Sequence, residues 1–255
     1  MHKVEKKSRC PIYLITLIII INKNLVYSNE IHIAVASNFA STIKNIVNAY
    51  QLKTKNKVFI SYGSTGMHFL QIKNGAPFDI FFAADVRRPK LLESLGLAQS
   101  NSRFTYAIGR IVLWVPNKNN LNPEWDILIS NQKKSKIAIA NPRLAPYGQA
   151  AKEIMESLGM WEKVKNNVIR GNDINQTYNF IVSGNADMGF ISYSQVKSNN
   201  EISINSILEP KKNLYTKIEQ QAVLLKNNET AKDFIRFFKS SEVNKIIKEN
   251  GYEIP

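Results

Sequence analysis

KVFISYGSTGMHFLQIKNGAPFDIFFAA, residues 57–84, decides the fold class. KVFISY (57–62) is a β-branched and aromatic run of strand length, and FDIFFAA (78–84) is a second one. MHFLQIKNG (67–75) between them reads as a short helix, closed by Gly75 as a C-terminal signal. Strand, helix and strand in succession make an α/β unit. Gly63-Ser64-Thr65-Gly66 stands where the first strand meets the helix. Such a junction faces the helix N-terminus, where unpaired N–H groups attract anions. The anion there is a nucleotide phosphate, a reaction intermediate, or a free ion that is only carried.

The same alternation runs outward in both directions. IHIAVA (31–36) is a strand, and 39–54 follows with helical spacing at Ile43, Ile46, Val47 and Tyr50. A helix is predicted over 87–97, with Pro89 in its first turn. RIVLWVP (110–116) reads as a strand leaving this unit. A second unit follows, with strands at 136–140 and 186–192 and helices at 147–164 and 174–184. A strand at 220–225 and one or two helices over 231–250 close the chain. Two α/β units joined by a crossing strand imply two lobes with a cleft at the carboxyl ends of the strands.

The first 28 residues are not expected to belong to the fold. Lys3, Lys6, Lys7 and Arg9 precede the apolar run PIYLITLIIII (11–21), and Val26 and Ser28 suit a cleavage site. The pattern predicts a signal peptide cut near Ser28. The remainder holds 29 Lys and Arg against 19 Asp and Glu, a formal charge of +10. No dense basic stripe interleaved with aromatics appears, so nucleic acid is not the expected partner. Cys10 is the only cysteine and precedes the apolar run. The processed chain therefore has no disulfide, cysteine nucleophile or cysteine metal site. His32 and His68 are its only histidines, too few for a metal cluster.

Four strand-to-helix junctions share one chemistry: Ala36-Ser37-Asn38, Gly63-Ser64-Thr65-Gly66, Pro146-Tyr147-Gly148 and Asn172-Asp173-Ile174-Asn175. They offer backbone N–H groups, hydroxyls and amides, and almost no basic side chains. Several helix starts aimed at one point hold an anion without lysine or arginine. Each junction taken alone reads first as an ordinary cap, because Ser, Thr, Asn and Asp are favoured there. GSTGMH lacks the lysine of a phosphate-binding loop, no GxGxxG follows a strand, and no GxSxG elbow is present. A hydrolase or transferase would need a histidine close to Ser37, Ser64 or Thr65. Neither histidine is expected there, His32 being mid-strand and His68 pointing along its own helix.

Six blocks now carry a resemblance: VASNFA, SYGSTGMHFLQIKNGAPFDIFFAADVRRPKLLESLG, FTYAIGRIVLWVP, NPRLAPYGQAAKE, NDINQTYNFIVSGNADMGFISYSQV and NGYEIP. In this order the chain resembles the periplasmic molybdate-binding proteins, the solute receptors of ABC-type molybdate importers. The resemblance implies a type II periplasmic binding fold, with two α/β lobes joined by two crossing strands around a ligand cleft. It implies 29–109 with 222–255 as one lobe and 110–221 as the other. It implies molybdate or tungstate as ligand, held by neutral hydrogen bonds, with no cofactor and no catalysis. The implied partner is a membrane permease, met transiently by a monomer in the periplasm. Ser37, Asn38 and Thr65 would bind from the first lobe, and Tyr147 and Ile174 through their backbone N–H groups. Thr65 stands where the family usually has serine, keeping the hydroxyl and adding a methyl. Some members donate a tyrosine hydroxyl after the strand at 186–192. Here Ser192 holds that position and Tyr193 is one residue off, which on a strand faces the other way. The alternatives are a receptor for another tetrahedral oxyanion such as sulfate, or a secreted α/β enzyme using the same cleft.

Overall fold

The computed structural model describes residues 29–116, 125–128 and 135–255. The proposed signal peptide lies outside them. The first sheet has the order β2-β1-β3-β10-β4. Its strands are β1 (Glu30–Ala36), β2 (Lys57–Gly63), β3 (Ile80–Ala83), β4 (Phe104–Gly109) and β10 (Ile218–Leu224). β1 pairs in parallel with β2 and β3, and β10 runs antiparallel to β3 and β4. Parallel strands are covered on both faces, and Ile31, Ile33, Ala34 and Val35 of β1 are all fully buried. On one face lie α1 (Ala40–Thr54), α8 (Glu229–Phe238) and α9 (Ser241–Glu249), whose Ile43, Phe234 and Val243 share a core with Phe82. On the other lie α2 (Thr65–Lys73) and α3 (Arg87–Ser94), whose Ile72 and Leu92 pack on Phe81 and Val223. Each large apolar side chain buried this way contributes roughly 1.5–3 kcal/mol.

The second sheet has the order β7-β6-β8-β5-β9. It is built from β5 (Ile111–Trp114), β6 (Ile137–Ala140), β7 (Val168–Gly171), β8 (Met188–Ser192) and β9 (Ile207–Leu208). α4 (Pro146–Ser157) and α5 (Trp161–Val164) cover one face, and α6 (Ile174–Val182) and α7 (Tyr193–Ser198) the other. This is the type II periplasmic binding arrangement, two lobes with their strand ends meeting at a cleft.

The chain passes between the sheets at Arg110, between β4 and β5, and again between β9 and β10. The second passage comes earlier than the sequence suggests. Residues 218–221, expected in the second lobe, belong to β10 and pair with β4 and β3. Gln220 and Gln221 interrupt the apolar pattern because they are buried and hydrogen bonded, not because the strand ends there. The helix expected over 147–164 is two helices, because Gly159 takes φ +66 after α4. Strands β4, β7 and β9 had no expectation of their own.

Candidate functional site

Counting N–H groups at the helix starts leaves a remainder. In α2, the Ser64 hydroxyl accepts from Met67 N–H at 3.3 Å. Gly66 N–H goes to the Leu144 carbonyl at 2.7 Å, and His68 N–H to the Ser64 carbonyl at 3.1 Å. Thr65 N–H has no acceptor among the described residues. In α4, Ala145 precedes Pro146, which has no N–H, and Gly148 N–H bonds the Ala145 carbonyl. Tyr147 N–H has no acceptor among the described residues. In α6, one Asp173 carboxylate oxygen takes both Asn175 and Gln176 N–H at 2.9 Å. Ile174 N–H has no acceptor among the described residues. A buried N–H without a partner is costly, and these three belong to residues no more than 2% exposed.

All three residues line one cavity, together with Ala36, Ser37, Asn38, Gly63, Ser64, Ala84, Ala145 and Pro146. The cavity is small, about 10 Å³. Among the described residues, no charged side chain lines it. The Ser37 hydroxyl has no hydrogen-bond partner among the described residues. Thr65 Oγ1 accepts from Ala84 N–H at 3.0 Å, which leaves its own proton free to donate. The site thus combines partial positive charge from three helix N-termini with hydroxyl donors, in a space for one small guest. That is the chemistry of a desolvated anion held without a cation.

The structure brings together all five residues named from the sequence, and separates their roles. The Asn38 amide is turned away: its Nδ2 donates to Gln220 Oε1 at 2.9 Å and to Tyr252 Oη at 3.1 Å. The Asn38 backbone carbonyl is taken as well, accepting from Ser194 Oγ at 2.9 Å and Tyr252 Oη at 2.7 Å. The Tyr147 ring runs toward the lobe junction, where its hydroxyl meets Gln220 Nε2 at 3.5 Å. Burial pushes the pKa values of Tyr147, Tyr106 and Tyr252 above the ordinary tyrosine value, so these hydroxyls stay neutral. Ser192 and Tyr193 do not line the cavity. Ser192 Oγ is bonded to Ser194 and Gln195, and the Tyr193 ring carries the Arg110 guanidinium at 3.9 Å. Ala36, Gly63, Ser64 and Pro146 line the cavity from the named junctions without having been put forward as ligands, and Ala84 and Ala145 had not been named. A signal existed for Ser64, which adjoins Thr65.

Neither histidine ring bonds to the side chain of Ser37, Ser64 or Thr65. His32 stacks on Phe59, with ring centroids 5.0 Å apart. His68 does not simply follow its own helix. Nδ1 meets Gln71 Oε1 at 3.0 Å, but Nε2 crosses to the Val35 carbonyl at 3.2 Å. Burial lowers its pKa below the ordinary 6.5, against smaller opposing effects of Gln71, Val35 and Asp173. The native ring therefore stays neutral at a pH where the unfolded chain takes up a proton. Stability is full above about pH 6.5 and falls as pH drops toward the lowered native value. Urea unfolding at a series of pH values should show this loss, and His68→Gln should flatten it. An unchanged slope in that variant would refute the assignment.

Residues 31–253 match the profile of the family described as "Bacterial extracellular solute-binding protein". The chain is 38% identical over 226 residues to the molybdate-binding protein ModA of Azotobacter vinelandii, covering 88% of this chain and 89% of the relative. It is 38% identical over 228 residues to the ModA protein of Rhodobacter capsulatus, with 88% of each covered. The solved periplasmic molybdate-binding protein of Azotobacter vinelandii superimposes with a TM-score of 0.83 at 35% identity, over 88% of this chain and 99% of that one. With its two lobes, its cleft and this similarity along nearly the whole described length, the chain belongs to the bacterial extracellular solute-binding proteins.

Proposed function

We propose that this protein is an exported receptor that binds molybdate or tungstate between its lobes and delivers it to the membrane permease of an ABC importer. The observation that carries this reading is the uncharged donor cavity, with Ser37, Thr65, Tyr147 and Ile174 around it. A fully ionised oxyanion offers only acceptors, and the cavity offers N–H and O–H donors. Dipoles avoid the desolvation cost of burying a lysine or arginine beside the ion. No carboxylate among the described residues lines the cavity, so none is there to accept the proton of a protonated oxyanion. The similarity to molybdate-binding proteins on two curated sequences and one solved structure supports molybdate over sulfate.

The protein acts without a cofactor and without catalysis, as a monomer in the periplasm. Its formal charge of +10 after removal of the leader favours the approach of anions, though salt screens this beyond about 8 Å. The reading is tested by thermal melts of dialysed protein with molybdate, tungstate, sulfate, phosphate or no addition. A ligand at 100 times its Kd adds roughly 2.7 kcal/mol. For a chain of this size the midpoint should rise by about 5–10 °C. The rise is expected with molybdate and tungstate and not with sulfate. A rise with sulfate alone would change the cargo, and no rise with any oxyanion, with calorimetry showing no ligand carried through purification, would refute the receptor.

A further inference from the structure

Beside the cavity, two successive carbonyls of the second lobe are gripped by the first. The Leu144 carbonyl accepts from Gly66 N–H at 2.7 Å. The Arg143 carbonyl accepts from Arg88 Nη2 at 2.8 Å. The Arg88 guanidinium is nearly buried and its Nη1 is paired with Asp85 Oδ2. Asp85 Oδ1 also accepts Arg88 N–H at 3.0 Å, at the start of α3. The carboxylate therefore fixes one edge of the guanidinium plane, and the other edge reaches across the cleft. A guanidinium fork does this with fixed geometry, and an ammonium does not.

The position of this contact gives it a consequence. Gly66 follows Thr65, and Leu144 lies three residues before Tyr147. The cross-lobe bonds thus tie together the segments that carry two of the unpaired N–H groups. Approach is so close that a Cβ on Gly66 would stand 2.9 Å from Leu144 Cα and 3.1 Å from Arg88 Nη2. Neither Arg88 nor Asp85 lines the cavity, so neither touches the ion.

We propose that Arg88, oriented by Asp85, is a positioning residue that clasps the closed lobes and sets how long the ion is held. This rests on the receptor reading for its cargo, but the clasp itself is a property of the two lobes. Opening must break both cross-lobe bonds and uncover the Arg143 and Leu144 carbonyls. Closure is a hinge motion, and a contact present only in the closed form biases it. The clasp therefore acts on release, while the encounter of ion and open cleft does not depend on it.

A rival role is simple charge: a cation near the cavity attracts an anion. The two roles predict opposite signs for Asp85→Asn. That change keeps an oxygen to cap α3 but frees Arg88 from its carboxylate. As a charge, Arg88 would then hold the ion more tightly. As a clasp, it would lose its orientation and hold the ion less well. Arg88→Lys keeps the charge and loses the fork, and Arg88→Met loses both.

The experiment measures release of radiolabelled molybdate into excess unlabelled molybdate, together with association rates. Small-angle scattering of each protein without ligand reports the closed fraction. Melting midpoints identify any variant that fails to fold, and Asp85→Asn and Arg88→Lys keep the test alive if Arg88→Met does. Release should be at least tenfold faster in all three variants, with association within about threefold of the unaltered protein. Their unliganded scattering should shift toward a larger radius of gyration. Slower release in Asp85→Asn, or release unchanged in Arg88→Lys, would overturn the clasp. If the unaltered protein binds no molybdate, the cargo assignment fails. The scattering then decides the clasp alone: an unchanged radius in every variant overturns it.

Discussion

Replacing Ser37 and Thr65 together by alanine should weaken molybdate binding by about 3–6 kcal/mol, since a hydrogen bond to a charged group is worth roughly 1.5–3 kcal/mol. That is a loss of roughly 10²- to 10⁴-fold in affinity. The two hydroxyls differ in what else they do, and the single variants should show it. Ser37 Oγ has no partner among the described residues, so Ser37→Ala should leave the ligand-free protein as stable as before. Thr65 Oγ1 accepts from Ala84 N–H at 3.0 Å, and both residues are buried. Thr65→Ala therefore strands a buried donor and should cost about 1–3 kcal/mol of stability even without ligand. Thr65→Ser keeps the oxygen and should restore most of both properties. Competition calorimetry gives the affinities, and urea unfolding of the dialysed proteins gives the stabilities. Unchanged affinity in the double variant would remove both hydroxyls from the site. Equal stability losses in the two single variants would show that Ser37 has a structural partner after all.

The strand-to-helix junctions were legible because each carries a local signature. A β-branched run gives way to Gly, Ser, Thr, Pro or Asp, and a helical period begins. Asp173 is the clearest case: its carboxylate caps α6 at two N–H groups, which is what singles out Ile174 N–H. The convergence of these junctions on one cavity was not visible residue by residue. It follows from the parallel pairing of β1 with β2 and β3, and of β6 with β7 and β8. That pairing brings the carboxyl ends of the strands to one edge of each lobe.

Long-range polar contacts were not legible at all. Asn38 turns its amide to Gln220 and Tyr252, 182 and 214 residues away. Nothing near Asn38 in the sequence distinguishes that fate from a side chain reaching the ion. The same network hid the second crossing: the strand expected at 220–225 begins two residues earlier, at Ile218, and its Gln220 is fully buried. The short β7 was missed because Val168 and Ile169 are only partly buried and Arg170 is exposed, so its pattern is weak. Gly159 was visible as a helix terminator but sits within a run whose apolar spacing continues through Met160 and Val164.

Gly148→Ala should have the largest effect of any single methyl group added at the site. A Cβ at this position would lie 2.0 Å from the Ala140 carbonyl oxygen and 2.5 Å from its carbon. Both are backbone atoms at the end of β6, so no side-chain rotation relieves the overlap. The start of α4 must instead move away from the second sheet. Overpacking of this kind costs roughly 1–3 kcal/mol or more, which for a chain of this size lowers the midpoint by about 2–12 °C. Binding should suffer beyond the stability loss, because Tyr147 N–H rides on the displaced turn. A shift of one ångström weakens a hydrogen bond steeply, so molybdate affinity should fall more than tenfold. Gly184→Ala is the control. It sits at φ +71 beyond α6 with open space where its Cβ would go. It should therefore destabilise through backbone strain and leave affinity intact once the protein is folded. Melting curves and calorimetry on the two variants separate the effects: both should melt lower, and only Gly148→Ala should lose the ion. Equal affinity in the two would mean that α4 does not supply a donor to the cavity, and the neutral site would rest on the first lobe and α6 alone.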